Sequence, residues 1–177
     1  MSEALDWPLE VHRILAGAKL RQIGYVPDAG HKRLIELCRA DGAMRAIPLT
    51  TEEEGVGLAV GAWLGGERCA LLMQSSGVGN LINVLGTIKE CRVPLPMLIT
   101  MRGEYGEFNP WQVPMGQATP AVLEAMGVVV QPVREAACVP AAVDAALRLA
   151  YNSYVATAVL ISQKVLGIKS FQEQASQ

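Results

Sequence analysis

The chain has 177 residues, of which 51% are apolar and only 18% are charged, and its formal net charge is −2. This length suits one domain with a substantial core. The near-neutral charge gives no reason to expect a nucleic acid or an anionic membrane as a partner. No apolar run approaches the ~18 residues that a membrane span requires. The high apolar fraction favours a large subunit interface, since obligate interfaces resemble a core cut in half.

The ends of the chain and its cysteines bear on location and metal binding. The first six residues contain no basic segment followed by an apolar stretch, so we expect no signal peptide and a cytoplasmic protein. Four cysteines are present, and none has the spacing of a metal site. We therefore expect reduced, mostly buried thiols and no metal held by this chain itself. The four are Cys38, Cys69, Cys91 and Cys138.

The first half of the chain alternates between helical and strand patterns. Asp6 can cap a first helix, and Gly24 is predicted to end it. The remaining predicted elements of this half are a short strand at 25–27, a helix around 34–38, a strand at 44–49, a helix at 52–64 and a buried strand at 69–73.

The second half continues the alternation. A long segment rich in glycine, proline and polar groups, residues 102–119, is predicted as a loop, and loops of this length are often functional. A polar tail begins at about residue 164. The predicted elements are a helix at 80–90, a strand at 96–101, a helix at 120–126, a strand at 128–130, a helix at 136–151 and a strand at 157–161.

This order of elements predicts a three-layer α/β fold. Strands that alternate with helices imply right-handed crossovers and a mostly parallel sheet with helices on both faces. No internal repeat or linker interrupts the pattern. We therefore expect residues 1–177 to form a single domain.

The first candidate for function is an acidic cluster at the start of the helix at 52–64. Glu52, Glu53 and Glu54 precede a glycine-rich apolar run, residues 55–61. Acids in a first turn stabilise the helix dipole, which alone can explain the cluster. Glycine inside a helix costs ~1 kcal/mol relative to alanine, so close packing against a backbone or a flat ligand has to compensate.

The second candidate is the turn at residues 74–80, directly after a predicted buried strand. Its two glycines, Gly77 and Gly79, lack the third glycine of a dinucleotide-binding fingerprint. The turn also lacks the Gly-Lys-Ser/Thr of a P-loop. An ordinary strand-to-helix turn is the alternative that the glycines alone leave open.

Together these two stretches resemble the pyrimidine-binding domain of thiamine-diphosphate-dependent decarboxylases. That family carries a glutamate nine residues before a helix glycine, and counting back from Gly61 reaches Glu52. The resemblance implies that Glu52 hydrogen-bonds the aminopyrimidine ring and activates the cofactor by sharing a proton with it. It implies that Gln74 faces the substrate. The residues expected to bind the cofactor are Glu52, Ser76, Gly77, Val78, Gly79 and Asn80.

A further loop resembles a substrate-binding segment of the same family. Asp28, Ala29, Gly30 and His31 follow a Val-Pro pair, where relatives contact the bound 2-oxo acid, although a Pro-Asp-x-Gly turn needs no function. Relatives often have Ser or Asp where this chain has Ala29, which removes a polar substrate contact. His31 offers an alternative proton donor, and an idle loop histidine is the competing interpretation.

The predicted loop at 102–119 supplies two more candidates. The planar guanidinium of Arg102 suits a carboxylate, sulfonate or phosphonate, and capping of loop carbonyls is the alternative. Gln112 begins the segment Gln-Val-Pro-Met-Gly at 112–116, which resembles the alpha subunits of sulfopyruvate decarboxylases. Phosphonopyruvate decarboxylases are next in similarity. The resemblance implies that Arg102 and Gln112 contact the substrate.

The half of the site that would hold the diphosphate is missing. In this family a Gly-Asp-Gly segment and a downstream Asn bind magnesium and the phosphates, whereas here Asp41-Gly42 follows Ala40. The resemblance therefore implies the alpha subunit of a carboxy-lyase that needs a diphosphate-binding beta subunit. That partner would bind most of the magnesium, and we expect the isolated chain to form a homo-oligomer.

The implied reaction is non-oxidative decarboxylation of a 2-oxo acid, sulfopyruvate above all, to an aldehyde. Two alternatives stay open within the family: phosphonopyruvate or another 2-oxo acid as the substrate, and carboligation in place of decarboxylation. A third alternative is a non-catalytic partner subunit of the same fold. The departure at Ala29 favours that third alternative, and the retained Glu52 argues against it.

Overall fold

The computed structural model describes residues 6–167. Six strands form one sheet, and every pairing between neighbouring strands is parallel. The strands are β1 (Leu20–Tyr25), β2 (Arg45–Pro48), β3 (Arg68–Gln74), β4 (Leu95–Thr100), β5 (Val129–Val133) and β6 (Ala156–Ile161). Their order across the sheet is β2-β1-β3-β4-β6-β5.

Helices cover both faces of this sheet. They are α1 (Trp7–Gly17), α2 (Lys32–Ala40), α3 (Glu52–Leu64), α4 (Val78–Leu81), α5 (Leu85–Glu90), α6 (Val113–Ala125), α7 (Val139–Ser153) and α8 (Gln163–Leu166). One apolar core lies between the sheet and helices α1, α2 and α7. A second lies between the sheet and helices α3 to α6. The predicted three-layer α/β fold class is confirmed.

The central strands are buried on both faces, as their continuous apolar sequences predict. Every residue of β4 and β6 is buried. Along β3, Ala70 and Leu72 enter the first core, whereas Leu71 and Met73 enter the second, because successive side chains of a strand point to opposite faces. This rigid centre positions the loops at the carboxyl edge of the sheet.

The predicted end of the first helix is wrong. Helix α1 ends at Gly17, Lys19 adopts a left-handed conformation with φ 58°, and Leu20–Tyr25 forms strand β1. The strand pairs with β2 on one side and β3 on the other. Two ladders of hydrogen bonds and burial in the sheet centre define this strand, and the apolar spacing of the first helix ends before it, at Ala18.

The predicted loop at 102–119 is only half correct. Helix α6 begins at Val113 with Pro114 in its first turn, and Pro120 lies inside it instead of starting it. A Cβ on Gly116 would lie 1.9 Å from the carbonyl oxygen of Arg102, so the helix packs directly on the start of the loop. Since helix α6 depends on this contact between distant residues, local patterns did not reveal its first turns.

The other differences concern shorter segments. The predicted helix at 80–90 is interrupted at residues 82–84, between α4 and α5. Residues 163–166 form helix α8, and the rest of the predicted polar tail lies outside the described residues, as do residues 1–5. Burial raises the pKa of the Cys38 and Cys69 thiols to about 12, whereas Cys91 and Cys138 are exposed, so the prediction of mostly buried thiols is only half correct. No helix between residues 6 and 167 has the length and apolar character needed to cross a bilayer.

Candidate functional site

The candidate site lies where the strand order reverses. Strand β2 flanks β1 on one side and β3 flanks it on the other. In open parallel sheets such a switch point leaves a crevice beyond the carboxyl ends of the strands, and ligands bind there. The segments that follow β1, β3 and β4 meet at this edge, and Glu52 begins α3 directly after β2.

Glu52 is buried at the start of α3, whereas Glu53 and Glu54 are exposed. Its side chain is 6% exposed, and its Oε2 accepts a hydrogen bond of 2.8 Å from Asn80 Nδ2. A Cβ on Gly77 would lie 1.8 Å from Glu52 Oε1, so only glycine leaves room for the carboxylate. The acidic cluster and the glycine turn, which are distant from each other in the sequence, therefore meet at Glu52.

The remaining residues of the turn at 74–80 have different surroundings. Ser75–Gly77 form a 3₁₀ turn that leads into α4. Val78 is fully buried in the second core, so only its backbone can reach a ligand. A Cβ on Gly79 would lie 3.4 Å from Met115 Sδ of α6, so this glycine faces the helix and not Glu52. The cofactor-binding role predicted for Val78 and Gly79 is thus restricted to backbone atoms.

Asp28 is the centre of a second polar cluster. It accepts hydrogen bonds from Gln74 Nε2 at 3.0 Å and from Thr100 Oγ1 at 2.5 Å. Ser76 Oγ donates to Gln74 Oε1 at 2.7 Å, which extends the cluster toward Gly77 and Glu52. Asp28 follows β1, Gln74 ends β3 and Thr100 ends β4, so this network spans the switch point.

Thr100 was not singled out from the sequence. It is the last residue of β4, and a polar residue at the carboxyl end of a buried parallel strand is the signal that would have identified it. A Cβ on Gly30 would lie 2.8 Å from Thr100 Cγ2 and 2.9 Å from Asp28 Oδ2. Gly30 therefore allows the loop after β1 to lie directly on β4.

His31 lies inside the protein and not on the loop surface. Its side chain is 0% exposed, and its Nε2 lies 3.0 Å from the carbonyl oxygen of Leu98. Burial lowers the pKa of His31, against an opposing effect of Asp28, so the ring is neutral at pH 7. Nδ1 has no partner among the described residues. This placement argues against the prediction that His31 donates a proton to the substrate, and favours a structural role beneath Asp28.

Arg102 is paired with an acid that the sequence analysis did not consider. Its Nε and Nη2 donate to the Oε2 and Oε1 of Glu107 at 2.7 and 2.5 Å. Glu107 also accepts from the backbone nitrogens of Gly103 and Asn109 and from Gln163 Nε2. The bidentate pair already neutralises Arg102, which weakens the prediction that Arg102 binds the substrate anion.

The same contacts determine how Glu107 titrates. Burial alone would raise its pKa, but hydrogen bonds from Arg102 and two backbone amides outweigh burial and lower the pKa to about 2. A carboxyl with a depressed pKa stabilises the fold at every pH above its ordinary pKa of 4.5, and this contribution to stability is lost as the pH falls toward 2. The loop at 102–109 therefore depends on an ionised Glu107.

We expect Glu107→Gln to destabilise the protein by about 3–5 kcal/mol at pH 7, because the Arg102 charge is left buried without its partner. Urea unfolding measures this loss. The matched control is Asp144→Asn, which breaks the exposed 2.7 Å pair with Arg148 and should cost less than about 1 kcal/mol. The difference between wild type and Glu107→Gln should shrink below about pH 4. Equal stability of both variants at pH 7 would contradict the role of the buried pair.

A cavity of about 320 Å³ opens beside the Asp28 cluster, and we call it the α2 cavity. Asp28, Ala29, Gly30, Thr100 and Arg102 form its wall toward the sheet. The rest of the wall comes from the start of α1, from α2 and from α8 and its end, namely Trp7, Pro8, Lys32, Arg33, Glu36, Gln163, Val165, Leu166 and Gly167. Gln74, His31 and Gln112 lie outside this wall, and the backbone of Gln112 packs against Gly103, next to Arg102.

The clustered residues fit the pyrimidine end of thiamine diphosphate. Asn80 holds Oε2 of Glu52, whereas Oε1 accepts no hydrogen bond from residues 6–167 and remains able to pair with a ring nitrogen. No group of three His, Cys, Asp or Glu side chains in that range is arranged to hold a metal ion.

Comparison with known proteins shows which family the chain belongs to. No protein-family model matches the chain. The sulfopyruvate decarboxylase subunit alpha of Methanothermobacter thermautotrophicus is 40% identical over 119 residues, which are 65% of this chain and 72% of that protein. The phosphonopyruvate decarboxylase of Streptomyces viridochromogenes is 34% identical over 112 residues, which are 62% of this chain but 28% of the relative.

A solved structure shares the fold. It is a 2-oxoglutarate:ferredoxin oxidoreductase from Magnetococcus marinus, with a TM-score of 0.71 and 12% sequence identity. The match covers 93% of this chain and 30% of that one. Fold and sequence similarity together define the class of the chain: it is an α/β domain of the thiamine-diphosphate-dependent decarboxylase type. Within that class, the chain belongs to the family of sulfopyruvate decarboxylase alpha subunits.

Proposed function

We propose that this chain is the pyrimidine-side subunit of a thiamine-diphosphate-dependent decarboxylase that converts sulfopyruvate to an aldehyde and carbon dioxide. The observation that carries the proposal is the buried Glu52 carboxylate, held by Asn80 over Gly77 with Oε1 unpaired among the described residues. An acid in a buried pocket can share a proton with a ring nitrogen, which exposed Glu53 cannot do as well.

Each of the chain's own groups has a task in this proposal. Glu52 holds the proton at Oε1, and Asn80 fixes the orientation of its carboxylate. Gly77 leaves room for the Glu52 carboxylate. The Asp28 cluster orients the substrate at the switch point. Thiamine diphosphate, when bound, supplies the electron sink that decarboxylation requires.

The partner subunit completes the site. We assign magnesium and the diphosphate to a second, different chain, because the Gly-Asp-Gly segment that binds them in the resembled family is replaced here by Ala40-Asp41-Gly42. An exposed stripe on α3 suits such a partner: Gly57 and Gly61 have no atom within 4 Å of a Cβ position, and Leu64 is 81% exposed. These positions are four and three residues apart and share one helix face. We expect the assembly to be cytoplasmic and the isolated chain to form a homo-oligomer.

The test is a substrate panel assayed with the complete assembly. We expect kcat/KM to be highest for sulfopyruvate, with phosphonopyruvate second and with pyruvate and benzoylformate at least ~10-fold lower, the scale of one lost charge-assisted contact. Product analysis distinguishes an aldehyde from a carboligation product. A higher kcat/KM for pyruvate or benzoylformate would contradict the proposal that sulfopyruvate is the substrate. Absence of turnover with every acid, despite assembly, would support the non-catalytic alternative.

A further inference from the structure

Three cationic side chains border the α2 cavity, and they differ in how their charge is used. Arg102 is held by Glu107. Arg33 is held by Asp6, through contacts of 2.8 and 2.9 Å from its Nε to the two carboxylate oxygens. The Arg102 charge is held in a buried pair, and the Arg33 charge is held in an exposed pair with the carboxylate of Asp6.

Lys32 is the third cation, at the start of α2. Within residues 6–167 its ammonium forms no ion pair, and its side chain is exposed. Glu36 follows one turn later on the same helix and also lines the cavity, but it forms no ion pair with Lys32. A pair of this kind on a helix surface is weak in water, so Glu36 does not prevent Lys32 from binding another anion.

The neighbouring residues of the cavity wall offer little to a second anion. Ala29 offers no polar side-chain group to a ligand, and Asp28 already accepts hydrogen bonds from Gln74 and Thr100. A substrate that carries a second anionic group beyond its 2-oxo acid therefore meets, among the described lining residues, one cation that is not already held in an ion pair. An ammonium has three hydrogen-bond donors and suits the three oxygens of a sulfonate or phosphonate.

We propose that Lys32 is the specificity-determining residue, which binds the distal anionic group of the substrate in the α2 cavity. The inference rests on the proposed function and assigns its substrate selectivity to Lys32 instead of Arg102. The 2-oxo acid end lies toward Gln74 and the Glu52 pocket, and the sulfonate lies toward α2. Arg102 keeps the loop at 102–109 in place through Glu107.

The experiment compares Lys32→Gln, Lys32→Arg and Arg39→Gln in the complete assembly. Arg39 is the matched control, since it is an exposed cation of α2 that forms no ion pair within residues 6–167 and does not line the α2 cavity. We expect Lys32→Gln to raise KM for sulfopyruvate by ~10–100-fold, the loss expected for one charge-assisted hydrogen bond. Its kinetics with pyruvate should stay within about 2-fold of wild type, because pyruvate has no distal anion. Lys32→Arg should restore most of the affinity, and Arg39→Gln should match wild type.

The outcomes separate this inference from the proposed function. If wild type turns over sulfopyruvate and Lys32→Gln has the same KM as Arg39→Gln, the role of Lys32 is wrong and the function stands. If Lys32→Gln weakens the kinetics with sulfopyruvate and with pyruvate equally, the role of Lys32 is also wrong, since equal losses indicate structural damage. If wild type turns over no 2-oxo acid, the function fails. Calorimetric titration of sulfopyruvate into the assembly then tests Lys32 alone, with weaker binding to Lys32→Gln as the supporting result and equal binding as the contradicting one.

Discussion

Glu52→Gln is expected to lower turnover by ~100-fold or more while the protein remains folded, because a neutral amide cannot share a proton with the cofactor ring. The amide has the size of the carboxylate and can still accept the hydrogen bond from Asn80. Steady-state kinetics of the complete assembly measures the loss, and thermal unfolding shows that the fold is kept.

Glu53→Gln is the matched control, since Glu53 is the neighbouring acid and is exposed. Its activity should stay within about 2-fold of wild type. A large loss with Glu53→Gln and none with Glu52→Gln would show that the nine-residue spacing to Gly61 was counted in the wrong register. Such a result would also contradict the proposal that the buried carboxylate of Glu52 takes part in catalysis.

A second variant moves the same carboxylate without changing it. A Cβ on residue 77 would lie 1.8 Å from Glu52 Oε1, so Gly77→Ala has to displace the acid. We expect a loss of activity comparable to that of Glu52→Gln. Gly86→Ala in α5 is the control, because no atom lies within 4 Å of its Cβ position. Full activity of Gly77→Ala would contradict the geometry proposed for the pocket.

The second large effect is dependence on a different subunit. The chain alone should show no tight binding of thiamine diphosphate and magnesium in calorimetry, and no decarboxylation. The ring end of the cofactor would find Glu52, but its phosphate charges would lie without neutralising groups, which is costly. Addition of the diphosphate-binding subunit should restore both binding and turnover. Tight binding and turnover by the purified chain alone would falsify the half-site proposal.

The exposed stripe on α3 provides a structural variant for this test. Gly61→Gln adds a side chain to an open position of the isolated chain, so the fold should tolerate it. If α3 faces the partner, the added volume should weaken association by ~10-fold or more, as overpacking of an interface does. Gly86→Gln adds the same side chain to another open helical position and should leave association unchanged. Equal association of both variants would place the partner on a different face.

The sequence by itself determined the class of fold and indicated Glu52 as the candidate acid of the site. Continuous apolar runs identified β3, β4 and β6, because strands covered by helices on both faces exclude polar residues. The resemblance to the decarboxylase family implied Glu52 as the candidate acid, and the structure shows that this glutamate is buried whereas Glu53 and Glu54 are exposed. The family resemblance, confirmed by the comparison with alpha subunits of sulfopyruvate decarboxylases, rests on the same local motifs.

Only the tertiary structure decided which side chains meet. Asp28 lies 46 residues before Gln74 and 72 residues before Thr100 in the sequence. The three side chains come together because β1, β3 and β4 are consecutive in the sheet. Strand order is a property of the whole fold and leaves no local pattern. Strand β1 escapes the sequence-based prediction because its pairing with β2 and β3, a property of the whole sheet, defines it.

The same reason accounts for partners and burial that the sequence did not show. Arg102 was a candidate anion contact in the sequence, but the turn at Gly103, with φ 75°, lets Glu107 fold back on it. His31 looked like a loop residue, but Gly30 lets the loop pack on β4 and so buries the ring. Local sequence specifies which residues can ionise. The packing of distant strands and loops specifies which of those charges are already paired, and it leaves Lys32 as the uncommitted cation of the α2 cavity among the described residues.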